Sequence, residues 1–245
     1  FMKDLFPKAT YLCFFEWFYH AYGSDADFDP AEPVDENTAA KLRIRNASLL
    51  IELSSCDRGL SPMRWQQQQF PPELQSKLAV CHDGIDTDFF KPSANGKPTE
   101  KPPEKPSKKL VIKPPKPIAC SSTLNLSAME EVITYVARGM EPYRGFPQFM
   151  EAVSLLQKQR PNCHVVIVGE DWVAYGKQLP DGQTYRQQAL EALDLDLSRI
   201  HFTGHLPYSQ YLQVIQASSV HVYLTRPFVL SWSMLEAMST GCLVL

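Results

Sequence analysis

Residues 200–245 read IHFTGHLPYSQYLQVIQASSVHVYLTRPFVLSWSMLEAMSTGCLVL, and the pattern in this stretch decides the fold. The short apolar runs IHFTG, VHVYL and LVL alternate with the longer segments YSQYLQVIQAS and SWSMLEAMSTG. The runs indicate strands, and the apolar spacing of the longer segments indicates helices, the last of them closed by Gly241. Strands that are continuous apolar runs are typical of parallel sheets covered on both faces.

The same alternation extends upstream of Ile200. VITYVA and HVVIVG are predicted strands, and FPQFMEAVSLLQKQ and TYRQQALEALDL are predicted helices. The first of these helices has one apolar face, formed by Phe146, Phe149, Met150, Val153 and Leu156. We therefore predict that residues 118–245 form an open α/β domain of Rossmann character, with helices on both faces of a parallel sheet.

The region before this domain has two parts. Residues 91–117, KPSANGKPTEKPPEKPSKKLVIKPPKP, have too few apolar residues to fold and are predicted to be a disordered linker or insertion. Residues 1–90 contain a buried aromatic strand, TYLCFFEWFY, and a helix over AAKLRIRNASLLIELSSC. Ser61 and Pro62 are predicted to open a further short helix, and LAVCHDG to form a strand. The aromatic run is interpreted as core, with a contribution to a sugar-acceptor site as the alternative.

Composition excludes several classes of protein. The chain has 245 residues and a formal net charge of −3, which disfavours a nucleic-acid binder. It has no apolar run long enough to span a membrane and no signal-peptide pattern. Six cysteines stand singly, without the spacing of a zinc site, which favours a reducing compartment and a cytoplasmic location. Because GCLVL stops within a predicted strand, we interpret the chain as a fragment.

Ligands of open α/β sheets bind beyond the carboxyl ends of the strands, so the residues that follow each strand are candidates for a site. Arg138, Gly139 and Arg144 follow VITYVA and precede a helix. Guanidinium groups and the N–H groups of a helix N-terminus both bind phosphate, so this loop is a candidate diphosphate site. The alternative is a pair of solvated surface arginines.

Two further strands are followed by candidate residues. Gly169 ends HVVIVG and either permits close approach of a backbone or is an ordinary turn glycine. Glu170 follows it and either accepts hydrogen bonds from sugar hydroxyls or lies in an exposed turn. His205 and Leu206 follow IHFTG, where the backbone can approach a planar base.

The loop after VHVYL leads through Leu230 into the last helix. Ser231 and Ser233 lie at its start, where they either cap its N–H groups or leave them to an anion. Glu236 lies inside this otherwise apolar helix. A buried carboxylate needs a partner, and a ribose diol and a neighbouring side chain are both candidates.

The sequence lacks the motifs of three common enzyme classes that use α/β folds. It has no GxGxxG for a dinucleotide, no GxxxxGK[ST] for a P-loop and no GxSxG nucleophile elbow. A mononucleotide diphosphate held by arginines and a glutamate fits the residues that are present.

These residues resemble a known family, the group-one (family four) glycosyltransferases. SWSMLEAMSTGCLVL resembles the final donor-site helix of that family, and TYVARGMEPYRGFPQFMEAV resembles its loop with a basic pair. HVVIVGED and IHFTGHLPYSQYLQVIQASSVHVYLT resemble its intervening repeats. SPMRWQQQQFP and VCHDGIDTDFFKP resemble the end of its acceptor domain, so the resemblance covers most of the chain except the Lys/Pro-rich insert.

The resemblance implies a GT-B fold, with two Rossmann-like domains of which the N-terminal one is incomplete. It assigns 1–90 to the end of the acceptor-binding domain, 91–117 to the linker and 118–245 to a truncated donor-binding domain. It also implies a retaining transferase of carbohydrate biosynthesis that moves a sugar from a nucleotide-diphosphate sugar to a saccharide or lipid-linked acceptor. Neither metal nor cofactor is expected, because basic side chains and a helix dipole neutralise the diphosphate.

Carried over residue by residue, the resemblance gives roles to several side chains. Arg138 and Arg144 would neutralise the leaving diphosphate, Glu236 would hold the ribose, and Ser231 and Ser233 would lie near the phosphates. The sequence departs from the family where a first glutamate is expected, since Phe228 stands there. The basic pair is also one residue further apart than usual, and Arg144 stands where lysine is common.

Two alternatives stay open at this stage, a GT-B epimerase of nucleotide sugars and a non-catalytic domain that only binds them. The fragment is expected to be inactive alone, because both domains supply the cleft. Its expected partners are a nucleotide sugar and a carbohydrate acceptor. The residues leave open the nucleotide, the acceptor, the oligomeric state and a peripheral membrane contact.

Overall fold

The structure is a computed structural model that describes residues 2–93 and 124–245. The chain divides into two compact units. The N-terminal unit comprises Phe1–Gly84 with Arg226–Leu230, and the C-terminal unit comprises Ile85–Thr225 with Ser231–Leu245. Residues 94–117 of the predicted linker lie outside the described residues, so the linker stays a prediction.

The helices and strands follow one another along the chain. In the N-terminal unit they are α1 (Met2–Leu5), β1 (Leu12–Phe14), α2 (Glu36–Ser55), β2 (Arg58–Ser61), α3 (Arg64–Gln68), α4 (Pro72–Gln75) and β3 (Leu78–Val80). In the C-terminal unit they are β4 (Glu131–Gly139), α5 (Phe146–Gln159), β5 (Cys163–Glu170), α6 (Tyr185–Ala192), β6 (Ile200–Gly204), α7 (Tyr208–Ala217), β7 (Val220–Val222) and α8 (Trp232–Ser239). Among the described helices, none combines the length and the apolarity that crossing a membrane requires.

The N-terminal unit contains a parallel sheet with the strand order β1-β2-β3. Asp35 caps α2, because its side chain accepts a hydrogen bond from the N–H group of Thr38 at 2.6 Å. A cluster of buried side chains forms the core, namely Phe15, Phe18, Leu53, Cys56, Phe70 and Leu78.

Two expectations for this unit were wrong in detail. The aromatic run forms a strand only over Leu12–Phe14, although Phe15 is buried after it. Ser61 ends β2, where its carbonyl accepts from the N–H of Cys81, and α3 begins only at Arg64. Sheet pairing overrides the local sequence signals at the aromatic run and at Ser61. The predicted helix over residues 39–56 is confirmed as α2, although its apolar residue Ile44 is 72% exposed.

The C-terminal unit contains a parallel sheet with the order β6-β5-β4-β7. Alternate residues of β5 point to opposite faces, since Val165 belongs to the core beneath α5 and α6, whereas Val166 packs with residues of α7 and α8. The prediction of an open parallel sheet with helices on both faces is therefore confirmed.

The helix over FPQFMEAVSLLQKQ has the predicted bounds, Phe146–Gln159. Four of its five predicted core residues are buried, and Leu156 is half-buried. The last predicted strand, LVL, is present only as an isolated parallel bridge between His221 and Val244. It extends the sheet beside β7, with Leu245 donating its N–H to the carbonyl of His221 at 2.9 Å.

Candidate functional site

The strand order of the C-terminal sheet reverses at β4. The chain proceeds from β4 outward to β5 and β6, and then returns to place β7 on the other side of β4. Such a reversal leaves a crevice at the carboxyl ends of the two flanking strands, and this is where open α/β sheets bind ligands. Here the crevice lies between the turn Pro142–Arg144, which follows β4, and residues 223–225, which follow β7.

Arg144 lies in this crevice and is held on several sides. Only 9% of the residue is exposed, and its Nη1 donates to Thr225 Oγ1 at 3.1 Å and to Tyr223 Oη at 3.4 Å. Its guanidinium also lies 5.5 Å from the centre of the Tyr175 ring. Its carbonyl accepts from the buried Tyr135 hydroxyl at 2.9 Å. Arg144 is thus a fixed positive charge at the strand reversal.

The N-terminus of α8 reaches the same place through Tyr223. The N–H group of Ser231 donates to Tyr223 Oη at 3.0 Å, so one hydroxyl accepts from both Ser231 and Arg144. Ser231 is the N-cap of α8, and its Oγ accepts from the N–H group of Ser233 and lies 2.8 Å from Ser233 Oγ. The structure therefore brings Arg144, Ser231 and Ser233 together, as a positive side chain beside a helix N-terminus.

Glu236 is buried inside α8, with 6% of the residue exposed. Tyr211 Oη donates to its Oε2 at 2.6 Å, and among the described residues its Oε1 accepts no hydrogen bond. Burial raises the pKa of the Glu236 carboxyl, and the hydrogen bond from Tyr211 partly opposes that shift. Tyr211 is the neighbouring partner that the sequence left open, and one carboxylate oxygen is left for a further donor.

Arg138 and Gly139 are organised by a different residue, Trp172. The Arg138 side chain is exposed, and its guanidinium lies 5.5 Å from the centre of the Trp172 ring. Trp172 Nε1 donates to the Arg138 carbonyl at 2.8 Å. A Cβ atom on Gly139 would lie 2.6 Å from the Trp172 carbonyl oxygen, so this position needs glycine.

Glu141 is a residue of this site that the sequence analysis missed. It is fully buried, and its carboxylate accepts from the N–H groups of Ala174, Tyr175 and Gly176 at 2.5 to 3.1 Å. These partners lie more than 30 residues away along the chain. The local sequence contains no signal for this contact beyond a carboxylate at a strand end.

Gly169 and Glu170 have separate roles in the structure. Gly169 has a φ of 136°, and a Cβ atom there would lie 1.9 Å from the Ala137 carbonyl oxygen, so this glycine allows β4 and β5 to pair closely. The side chain of Glu170 is exposed at the end of β5. The next residue, Asp171, accepts from Thr184 Oγ1 at 3.1 Å.

The remaining predicted residues are not brought to Arg144 by any described contact. His205 is exposed after β6, whereas Leu206 is buried in the core that contains Val166. Leu230 belongs to the segment Arg226–Leu230 of the N-terminal unit.

Within this segment, Arg226 Nη2 pairs with Glu32 Oε2 at 2.6 Å, and the Phe228 ring packs edge-on against Trp17 at 4.9 Å. In the described ranges, no group of three or more His, Cys, Asp or Glu residues is placed to hold a metal ion. Metal independence stays a prediction.

Two family models match the chain. Residues 121–245 match the family described as Glycosyl transferases group 1. Residues 1–90 match the family described as Glycosyl transferase family 4 group. A search of curated proteins finds no match.

Several solved structures are similar to the chain. Sucrose-phosphate synthase from Thermosynechococcus elongatus is 16% identical with a TM-score of 0.57, and the match covers 98% of this chain and 51% of that one. Alpha,alpha-trehalose 6-phosphate synthase from Burkholderia multivorans is 12% identical with a TM-score of 0.56 and the same two coverages. The pneumococcal O-GlcNAc transferase GtfA, in complex with UDP and GlcNAc, is 13% identical with a TM-score of 0.51. The match covers 81% of this chain and 31% of that one.

The structural likeness confirms the predicted GT-B fold. The chain spans about half the length of the first two of these structures.

Proposed function

The chain belongs to the group 1 glycosyl transferases, and from this membership we propose that its protein transfers a sugar from a nucleotide-diphosphate sugar to a saccharide or lipid-linked acceptor, with retention of configuration. In this reaction the bond between the anomeric carbon and a diphosphate oxygen breaks. The acceptor hydroxyl oxygen bonds to the same carbon, and the hydroxyl proton leaves with the diphosphate. The protein must therefore stabilise negative charge that grows on the leaving diphosphate.

The observation that carries the proposal is the convergence of Arg144 and the N-terminus of α8 on Tyr223. A guanidinium and a helix N-terminus both stabilise a phosphate, and both lie at the strand reversal where α/β sheets bind ligands. Arg144 is ordered before a ligand binds, so little of its side-chain entropy is lost on binding.

Glu236 supports a nucleotide rather than a simple anion at this site. Its Oε2 is occupied by Tyr211, and its Oε1 is available to accept from a ribose hydroxyl. Burial of a carboxylate costs free energy unless its oxygens accept hydrogen bonds, so a bound diol would compensate part of that cost. We assign the ribose to Glu236 and the diphosphate to Arg144, Ser231 and Ser233, with Arg138 as a second positive charge.

The remaining predictions from the sequence extend this proposal. Gly139 would belong to the diphosphate loop, Gly169 and Glu170 would lie on the sugar side, and His205 with Leu206 would present backbone to the base. No metal or cofactor is expected beyond the nucleotide sugar. A cytoplasmic location, with peripheral membrane contact if the acceptor is lipid-linked, follows the same proposal.

Nucleotide binding by the full-length protein tests the site. Thermal unfolding is measured with UDP, GDP, ADP and TDP, for the wild type and for Arg144→Ala and Glu236→Ala. At a ligand concentration 100 times Kd, binding stabilises the protein by about 2.7 kcal/mol. We expect one nucleotide to give this shift, and each variant to lose about 10-fold or more in affinity, as a charged hydrogen bond of about 1.5–3 kcal/mol implies.

Arg160→Ala and Glu191→Ala are the matched controls, since each makes the same change of charge at an exposed side chain. They should leave the nucleotide shift unchanged. A folded wild-type protein that responds to none of the four nucleotides would refute the donor site.

Phe228 favours a second candidate function, a domain that binds a nucleotide sugar without transferring it. The family resemblance places a glutamate at this position, whereas Phe228 packs against Trp17. An aromatic ring cannot accept hydrogen bonds from sugar hydroxyls as a carboxylate does. If the protein binds a nucleotide but releases no nucleoside diphosphate with any acceptor, this second function is supported.

A further inference from the structure

We propose that Glu141 is a positioning residue of the donor site, which holds residues 172–176 in the conformation that places Trp172 beside Arg138 and Tyr175 beside Arg144. This inference rests on the proposed function, because it assigns the two arginines to the donor diphosphate. Glu141 itself does not touch the ligand. It acts through the loop of residues 172–176, which we call the aromatic loop.

Glu141 fixes the backbone of the aromatic loop. Its carboxylate receives three consecutive N–H groups, from Ala174, Tyr175 and Gly176, and one of these bonds is only 2.5 Å long. Consecutive N–H groups that converge on one carboxylate form a concave anion site, and here the anion belongs to the protein. Because Glu141 is fully buried, these hydrogen bonds are shielded from water and order the loop strongly.

A second set of contacts, between Trp172 and Arg138, fixes the aromatic loop. Trp172 Nε1 donates to the Arg138 carbonyl, and the Arg138 guanidinium lies over the Trp172 ring. Gly139 permits this approach, since a Cβ atom there would overlap the Trp172 carbonyl oxygen. The exposed Arg138 side chain therefore takes its direction from the ring of Trp172.

The same loop completes the surroundings of Arg144. Its guanidinium donates to Thr225 and Tyr223 and lies over the ring of Tyr175. Tyr175 is 41% exposed and Trp172 is 42% exposed, so neither ring is part of the core. Exposed aromatic side chains that contact both arginines are explained by a role in orienting those arginines.

This arrangement predicts that a change of Glu141 weakens the binding of one part of the ligand, its diphosphate. Arginines that neutralise the diphosphate contribute to the affinity that a nucleoside diphosphate has in excess of its monophosphate. A loss of order that is confined to the aromatic loop should lower this excess affinity for the diphosphate. A general loss of folded structure should weaken both nucleotides equally.

The experiment compares affinities of the full-length protein for UDP and UMP, GDP and GMP, ADP and AMP, and TDP and TMP by titration calorimetry. Glu141→Gln keeps the shape of the side chain but points an amide NH₂ at backbone N–H donors. We expect it to lower the diphosphate-to-monophosphate affinity ratio about 10-fold and to raise the donor KM more than it lowers kcat. Glu151→Gln, at an exposed position of α5, is the matched control and should leave the ratio unchanged.

Tyr175 provides a second and independent pair of variants. Tyr175→Leu removes the ring beneath Arg144 and should lower the ratio, whereas Tyr175→Phe retains the ring and should restore it to within twofold of the wild type. Because Tyr175 is exposed, these variants test the contact of the aromatic loop with Arg144 even if Glu141→Gln does not fold.

An unchanged ratio in Glu141→Gln and Tyr175→Leu, or equal weakening of diphosphate and monophosphate, would overturn the positioning role while leaving the donor site intact. A wild-type protein that binds none of the nucleotides would instead refute the proposed function, and the positioning role with it.

Discussion

Gly145 lies where the turn after β4 meets the end of β7, and replacing it with alanine should damage both stability and the site. Its φ of 65° is a left-handed conformation that costs a residue with a Cβ atom roughly 1–2 kcal/mol. The added Cβ would also lie 2.4 Å from Leu224 Cβ, an atom next to the backbone that cannot move cheaply. Overpacking of this kind costs roughly 1–3 kcal/mol more.

Gly182→Ala separates these two contributions. Gly182 has a similar φ of 71°, but a Cβ atom there would meet nothing within 4 Å. Alanine also lowers the entropy of the unfolded chain, which returns roughly 0.4–1 kcal/mol in both variants. We therefore expect losses in the free energy of unfolding of about 1 kcal/mol for Gly182→Ala and about 3 kcal/mol for Gly145→Ala.

Differential scanning calorimetry of the full-length protein measures this difference. For a unit of this size, about 3 kcal/mol lowers Tm by roughly 6–12 °C and about 1 kcal/mol by roughly 2–4 °C. Leu224 precedes Thr225, which accepts from Arg144, so Gly145→Ala should also weaken nucleotide binding, whereas Gly182→Ala should not. Equal decreases in Tm for the two variants would refute the packing argument.

Three further predictions concern side chains of the C-terminal unit. Tyr211→Phe removes the donor to Glu236, and it should lower the free energy of unfolding at neutral pH by about 1–3 kcal/mol in urea titrations. A loss smaller than 0.5 kcal/mol, roughly the lower bound for one hydrogen bond, would contradict that pairing. Burial, with a contribution from His164, lowers the pKa of His201 to about 4. Its contribution to stability is therefore present above pH 6.5 and lost as the pH falls through about 4, and His201→Gln should flatten the pH profile of unfolding over that window. The same slope in the wild type and in His201→Gln would contradict this role of His201. Phe149→Ala, in the core against Tyr135, should cost about 3–5 kcal/mol, and a cost of only about 1 kcal/mol would show that the β4–α5 packing is misassigned.

The parallel sheet of the C-terminal unit could be predicted because its signals are local. Apolar runs such as HVVIVG are long and unbroken, and FPQFMEAVSLLQKQ repeats its apolar residues at helical spacing. Pro147 at the second helical position and Gly145 before it mark where α5 begins, so its bounds agree with the structure.

The secondary structure of the N-terminal unit was harder to predict, because its strands are short and depend on contacts between residues that are distant in the sequence. Ser61 and Pro62 form a valid start signal for a helix, but pairing of β2 with β3 takes Ser61 into the sheet. Apolar residues of α2 such as Ile44 suggest a wider buried face than the unit uses.

The sequence predicted those residues of the candidate site whose chemical type, at the end of a strand, already indicates a phosphate ligand. Arg144 and Ser231 lie between a strand and a helix, Ser233 lies in the first turn of α8, and the structure brings the three together. Tyr211 and Glu141 could not be found in this way. Their partners lie 25 and more than 30 residues away, and neither spacing corresponds to a period of a helix or strand.

Acceptor-dependent release of nucleoside diphosphate tests the central claim most directly. The full-length protein is incubated with nucleotide sugars, with and without saccharide or lipid-linked acceptors, and the released diphosphate and the sugar products are quantified. We predict release that requires an acceptor, a product with retained anomeric configuration, and loss of activity in Arg144→Ala but not in Arg160→Ala. Binding without release, or conversion of the nucleotide sugar to an epimer in the absence of acceptor, would contradict the assignment as a transferase.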